Sequence, residues 1–211
     1  VHLGHQDLLA HLKAFAAAKG LYSAVLTFRR HPRLALIPGI EVRYIATLEE
    51  RLSLLRAGGI DLVVAVDFTQ DVALLKAGEF VGMLRRQLKM KGLVVGPDFA
   101  LGHNREGDIP TLRRLGTEMD FWVEPVEPVL MDKTVIRSSA VRSLLGQGDV
   151  ESASAMLGRP YGLTGPVVEG DRRGRELGFP TANLALDADL ALPLDGIYAT
   201  WAIVDGLRHR S

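Results

Sequence analysis

Three short, unbroken apolar runs constrain the fold most: Ala24-Val25-Leu26-Thr27-Phe28, Leu62-Val63-Val64-Ala65-Val66 and Leu93-Val94-Val95. A strand with one wet face alternates apolar and polar residues, whereas a run that is apolar throughout needs cover on both faces. The segments between the runs supply that cover. Gln6 to Lys19 carries Leu8, Leu9, Leu12, Phe15 and Ala16 at helical spacing and stops at Gly20, and Leu48 to Ala57 reads as a helix ended by Gly58-Gly59. A helical stretch from about Val72 to Lys89 is broken near Gly78, and Thr111 to Glu118 precedes a fourth strand, Phe121 to Val126. Strand and helix in alternation predict a parallel sheet with helices on both faces, whose binding sites lie at the carboxyl ends of the strands.

After Ser138 the texture changes. Two helices are predicted, Ser139 to Leu145 and Val150 to Leu157, and from Arg159 onward Gly and Pro punctuate short strand-like runs at Thr164 to Val168, Thr181 to Leu186 and Gly196 to Val204. The expected organisation is an α/β domain over residues 1–157 and an all-β segment over 158–211. Asp205-Gly206 has the composition of a hairpin turn, with the return strand expected beyond the residues present. The chain opens inside a motif, Val1-His2-Leu3-Gly4-His5, without an initiator Met, so further sequence is expected at both ends.

Charge narrows the partners. Lys plus Arg and Asp plus Glu both number 25, which removes the general electrostatic case for nucleic acid or an acidic membrane surface and makes any phosphate binding local. There is no Cys, hence no disulfide, thiolate metal site or thiol nucleophile. No apolar run reaches the roughly 20 residues of a membrane helix and no signal-peptide pattern is present, so a soluble, cytoplasmic protein is the expectation.

Several constellations could carry phosphate chemistry. His2-x-Gly4-His5 precedes the first helix: a helix start offers unpaired N–H groups, Gly4 lets a phosphate approach the backbone, and two imidazoles flank it as donors. Two solvated terminal histidines are the bland alternative. Ser138-Ser139-Ala140-Val141-Arg142 opens another helix, with serine a favoured N-cap and Arg142 in the first turn; serines there are more often caps alone. Asp98, in the turn Gly96 to Gly102, could hold a ligand polar group or only its own backbone, and the cations and His31 of Thr27 to Pro32 could meet phosphate or solvent. In the second segment Gly174 and Gly178 lie in a basic turn able to curl N–H groups around phosphate, while Thr181 and Asn183 supply oxygen of the kind magnesium accepts. A P-loop is absent.

Taken in order, these elements resemble the bacterial bifunctional riboflavin kinase and FMN adenylyltransferase family, whose first domain is a Rossmann-like nucleotidyltransferase marked by H-x-G-H and whose second is a β-barrel kinase. The likeness runs through Val1 to Gln6, Thr27 to Pro32, Val95 to Gly102, Ile136 to Arg142, the linker Gly148 to Tyr161 and, most specifically, Gly170-Asp171-Arg172-Arg173-Gly174-Arg175-Glu176-Leu177-Gly178-Phe179-Pro180-Thr181-Ala182-Asn183. It implies that His2 and His5 contact ATP phosphates at the transition state, that Asp98 holds flavin or nucleotide, and that Ser138, Ser139 and Arg142 bind the triphosphate. It further implies that Thr181 and Asn183 serve magnesium and ATP, with ATP, riboflavin and FMN as substrates. Two departures stand out. Arg137 occupies a position usually held by serine, and neither the Phe-Asp-Gly turn that precedes H-x-G-H nor the glutamate base of the kinase lies within the residues present, so kinase activity is not expected of this length of chain alone. The alternatives are another H-x-G-H transferase, acting on pantetheine phosphate or nicotinamide mononucleotide, and a catalytically silent flavin- or nucleotide-binding protein.

Overall fold

The computed structural model describes residues 1–170, 178–179 and 181–211. Helix α1 spans Leu3–Ala18 and starts three residues earlier than its apolar stripe indicates, because His2 caps it. Strand β1 (Ala24–Phe28) pairs in parallel with β2 (Leu62–Val66), Ala24 opposite Leu62 and Phe28 opposite Val66. Where the two strands begin, buried Ser23 donates its backbone N–H and hydroxyl to Asp61 Oδ2 at 2.8 and 2.6 Å, and Asp61 N–H returns a bond of 3.1 Å to Ser23 Oγ. Strand β3 (Gly92–Val95) pairs in parallel with β4 (Trp122–Pro125). Gly92 lies directly under the Trp122 indole, where an added Cβ would fall 2.0 Å from the ring, so only glycine allows that strand crossing. The expected parallel α/β layer is present, its ladder running as two parallel pairs.

Between the strands run α2 (Pro32–Leu36), α3 (Leu48–Ala57), α4 (Gln70–Leu74), α5 (Ala77–Leu88) and α6 (Ile109–Met119). The break in the long stretch falls at Leu75-Lys76, ahead of Gly78, because the Glu79 carboxylate accepts Lys76 N–H at 2.7 Å and restarts the helix there. Leu9, Leu55 and Ile60 form one core with Val25 and Val63; Ala77, Val81, Leu112, Leu115 and Phe121 form another with Leu93 and Val123. A small hairpin, β5 (Leu130–Met131) and β6 (Thr134–Val135), turns through Asp132 and Lys133, both at positive φ.

Helices α7 (Ser138–Gly146) and α8 (Val150–Leu157) bury Val141, Leu145, Ala153 and Leu157 against Ile136 and, from far along the chain, Ala191. Among the described residues the β-rich segment contributes two antiparallel pairs, β7 (Val167–Val168) with β8 (Asn183–Leu184) and β9 (Trp201–Val204) with β10 (Leu207–Arg210). The return strand of the Asp205-Gly206 hairpin is therefore inside the chain, a correction to the sequence reading: both turn residues have positive φ, which suits the twist of a two-residue hairpin. The strands are also shorter than the apolar runs suggested, with Ile197 fully exposed and outside β9.

Candidate active site

H-x-G-H is the first turn of α1. His2 occupies the N-cap in extended backbone (φ −111°, ψ 173°) and is only 7% exposed. His2 Nδ1 accepts His5 N–H at 3.3 Å, and His5 Nδ1 accepts His2 N–H at 3.5 Å. The two rings stack with centroids 3.8 Å apart. Because each Nδ1 receives a backbone N–H, each ring carries its proton on Nε2, which is left as a donor. Desolvation, reinforced by His5, lowers His2 to about 3. His5 is lowered chiefly by desolvation as well, so both rings are neutral donors near pH 7.

Gly4 brings the two distant motifs together. Its position would place a Cβ 3.2 Å from Ile136 O and 3.3 Å from the His2 ring, so the H-x-G-H turn lies on the backbone just ahead of Arg137. Leu3 packs into the core around Ile136, Val141 and Leu145. The turn is also held from α8: Gln6 Nε2 donates to Leu157 O at 3.0 Å, and Arg159 donates to Val1 O at 2.8 Å while facing Glu50 at 3.6 Å.

The start of α7 differs from expectation. Arg137, not Ser138, is the N-cap, and no side chain caps the helix, since a guanidinium has no acceptor. Ser138 and Ser139 thus form the start of the first turn, and Arg142 follows half-buried. His31 N-caps α2, its Nδ1 accepting Arg33 N–H at 3.2 Å and its own N–H donating to Tyr44 Oη at 2.8 Å. Desolvation lowers its basicity, followed by the charges of Arg142, Arg33 and Arg51; the reach of Arg142 to His31 sets the loop after β1 and the first turn of α7 in one electrostatic field. One contributor escaped the sequence reading. Arg51 of α3 donates to Phe28 O at 2.6 Å and Arg29 O at 3.2 Å at the carboxyl end of β1, and its buried Nε has no partner. An arginine on an amphipathic helix carries no signal that distinguishes this from a solvated charge.

Other predicted residues stand apart. Asp98 is exposed in the turn after β3; its carbonyl accepts Arg105 Nη2 at 2.8 Å, and among the described residues no contact links it to the histidine and serine group. Gly178 has φ +81°, a left-handed conformation that favours glycine. Asn183 in β8 lies against Gly170, where a Cβ would fall 2.2 Å from its Nδ2, and Thr181 is exposed nearby in sequence. Gly174 lies outside the described residues. Among those described, no group of three or more His, Cys, Asp or Glu is placed to hold a metal. Thr181 and Asn183 offer neutral oxygens, which suit magnesium arriving with its phosphates and water better than a bare ion.

The sequence pattern of the FAD synthetase family matches residues 1–140, and that of riboflavin kinase matches residues 157–211. The chain is 35% identical over 210 residues to the bifunctional riboflavin kinase/FMN adenylyltransferase of Listeria monocytogenes, covering 99% of this chain and 67% of that protein. It is 35% identical to the Bacillus subtilis protein of the same description (98% and 65% covered) and 34% identical to that of Escherichia coli (94% and 64%). The chain thus spans about two thirds of the length of the curated relatives it matches. A solved structure described as a macrolide-efflux protein from Streptococcus pneumoniae superposes with a TM-score of 0.91 at 31% identity, covering 99% of this chain and 68% of that one. Among the described residues no helix is long and apolar enough to cross a membrane.

Proposed function

The chain belongs to the FAD synthetase family of bifunctional riboflavin kinase/FMN adenylyltransferases, and on that premise we propose that the group around His2, Gly4, His5, His31, Ser138, Ser139 and Arg142 is its FMN adenylyltransferase site. The segment that matches riboflavin kinase supplies the ATP-binding part of a kinase site at Gly174, Gly178, Thr181 and Asn183. Riboflavin is first phosphorylated by ATP to FMN; an oxygen of the FMN phosphate then attacks the α-phosphorus of a second ATP, the bond to the β-phosphate breaks, and FAD and pyrophosphate leave.

The observation that carries the reading is the contact of Gly4 with Ile136 O, which sets the H-x-G-H turn against the start of α7. A nucleotide laid across this junction meets two helix N-termini, whose N–H groups and dipoles favour anions. Neutral His2 and His5 donate from Nε2 to phosphoryl oxygens, Ser138 and Ser139 add hydroxyl donors, and Arg142 offsets charge that builds on the leaving pyrophosphate. No covalent intermediate is required, since in-line transfer rests on positioning and charge stabilisation. Magnesium would screen the phosphate charge, held in the kinase site by the oxygens of Thr181 and Asn183. Asp98, in the turn after β3, would orient flavin or nucleotide.

The test is His5→Ala in the full-length natural protein. FMN adenylylation is expected to fall by about 10²–10³, as when one preorganised donor is removed, with riboflavin phosphorylation retained. Equal loss of both activities would count against separate sites, and full adenylylation would remove His5 from the mechanism.

A further inference from the structure

The second segment does not merely follow the first domain; a backbone bridge ties it there. Tyr44 N–H donates to Asp189 O at 2.7 Å and Ala191 N–H donates to Tyr44 O at 2.8 Å, a parallel bridge centred on Leu190. Arg43 reaches Ala188 O from the neighbouring position. The bridging segment is itself fixed: Leu190 and Ala191 are buried at 4% and 6% exposure, Ala191 O accepts Tyr161 Oη at 2.5 Å, and Leu194 N–H bonds Leu145 O at 3.0 Å. Tyr44 is thus gripped through its backbone by residues that match the riboflavin kinase family, while its hydroxyl accepts His31 N–H. His31 in turn caps α2 beside the adenylyltransferase group.

We propose that Tyr44 is a positioning residue through which the segment Ala188 to Ala191 of the second domain fixes the His31 loop of the first. This inference rests on the adenylyltransferase reading. It means that the kinase-like half contributes to adenylylation as a scaffold as well as by making FMN. Removing the hydroxyl leaves His31 N–H without its partner, and the loop loses the register in which His31 and Arg142 share one anion.

The experiment compares wild-type full-length protein with Tyr44→Phe, which keeps the ring and the backbone bridge, and with Leu190→Ala, which loosens the gripping segment. His31 amide hydrogen exchange, steady-state FMN adenylylation and riboflavin phosphorylation are measured on each. Tyr44→Phe should speed His31 exchange and raise KM for ATP in adenylylation by about tenfold, the worth of one hydrogen bond, with phosphorylation unchanged. General destabilisation would instead lower kcat of both reactions through loss of active protein, leaving KM alone. Leu190→Ala should change His31 exchange in the same direction; should it fail to fold, Tyr44→Phe decides by itself. Unaltered His31 exchange or unaltered KM in Tyr44→Phe would overturn the inference. Wild-type protein that makes no FAD would overturn the functional reading, and the exchange data would still decide whether the clamp exists.

Discussion

Gly4 is the residue at which stability and chemistry should part company. Its backbone is helical rather than left-handed, so conformation does not demand glycine there; space does. Gly4→Ala would gain about 1 kcal/mol of helix propensity. Against this, the new methyl would sit 3.2 Å from Ile136 O and 3.3 Å from two atoms of the His2 ring, closer than carbon normally packs, so the turn must move by a few tenths of an ångström. Overpacking of this kind costs about 1–3 kcal/mol, which leaves a net change within about 2 kcal/mol of zero. The catalytic effect should be larger: the methyl stands where phosphate approaches the backbone and shifts the His2 and His5 donors by a few tenths of an ångström, and since a 1 Å misplacement costs about 10²-fold, a loss of up to about 10²-fold is expected. Urea unfolding and FMN adenylylation of the full-length protein, with riboflavin phosphorylation as the internal control, read both quantities. Undiminished adenylylation would refute the claim that phosphate needs this space, and a stability loss well beyond 3 kcal/mol would show that Gly4 serves packing instead.

Two further outcomes follow from the same geometry. Arg137→Ser places an acceptor at the uncapped start of α7, and urea unfolding should show a gain of about 1 kcal/mol. The His2 prediction concerns pH: the unfolded chain takes up a proton below its ordinary value of 6.5, whereas the folded protein resists until about 3, so this contribution to stability is present above 6.5 and is lost as pH falls from there toward 3. The slope should reach about 1.4 kcal/mol per pH unit, and His2→Asn, which keeps an N-cap acceptor, should flatten it. The Ser23 hydroxyl and N–H hold the Asp61 carboxyl below its usual range, so its contribution is lost only at more acid pH and survives in His2→Asn.

The α/β layer was legible because its strands are apolar on both faces and its helices carry a stripe, patterns set by burial alone. What failed depended on partners outside the local sequence. Histidine is not a habitual N-cap, so the apolar stripe places the start of α1 at Gln6 rather than Leu3; the serines at 138 and 139 look like caps, but Arg137 holds that position. The five-residue α2 is too short to show a period. Strand β10 reads Leu207-Arg208-His209-Arg210, a polar run whose pairing comes from the turn and from the Arg208 guanidinium 3.9 Å over the Trp201 ring. The individual site motifs were visible in the sequence, but the contact of Gly4 with Ile136, the field joining His31 to Arg142, and the roles of Arg51 and Tyr44 exist only once the chain is folded.

The central claim concerns which phosphorus is attacked. Purified full-length protein is given FMN and magnesium with ATP labelled either at the α- or at the γ-phosphorus. Label from the α-position should appear in FAD, with one pyrophosphate released per FAD and the γ-label confined to that pyrophosphate; no FAD, or α-label left entirely in adenine nucleotide, would contradict the account.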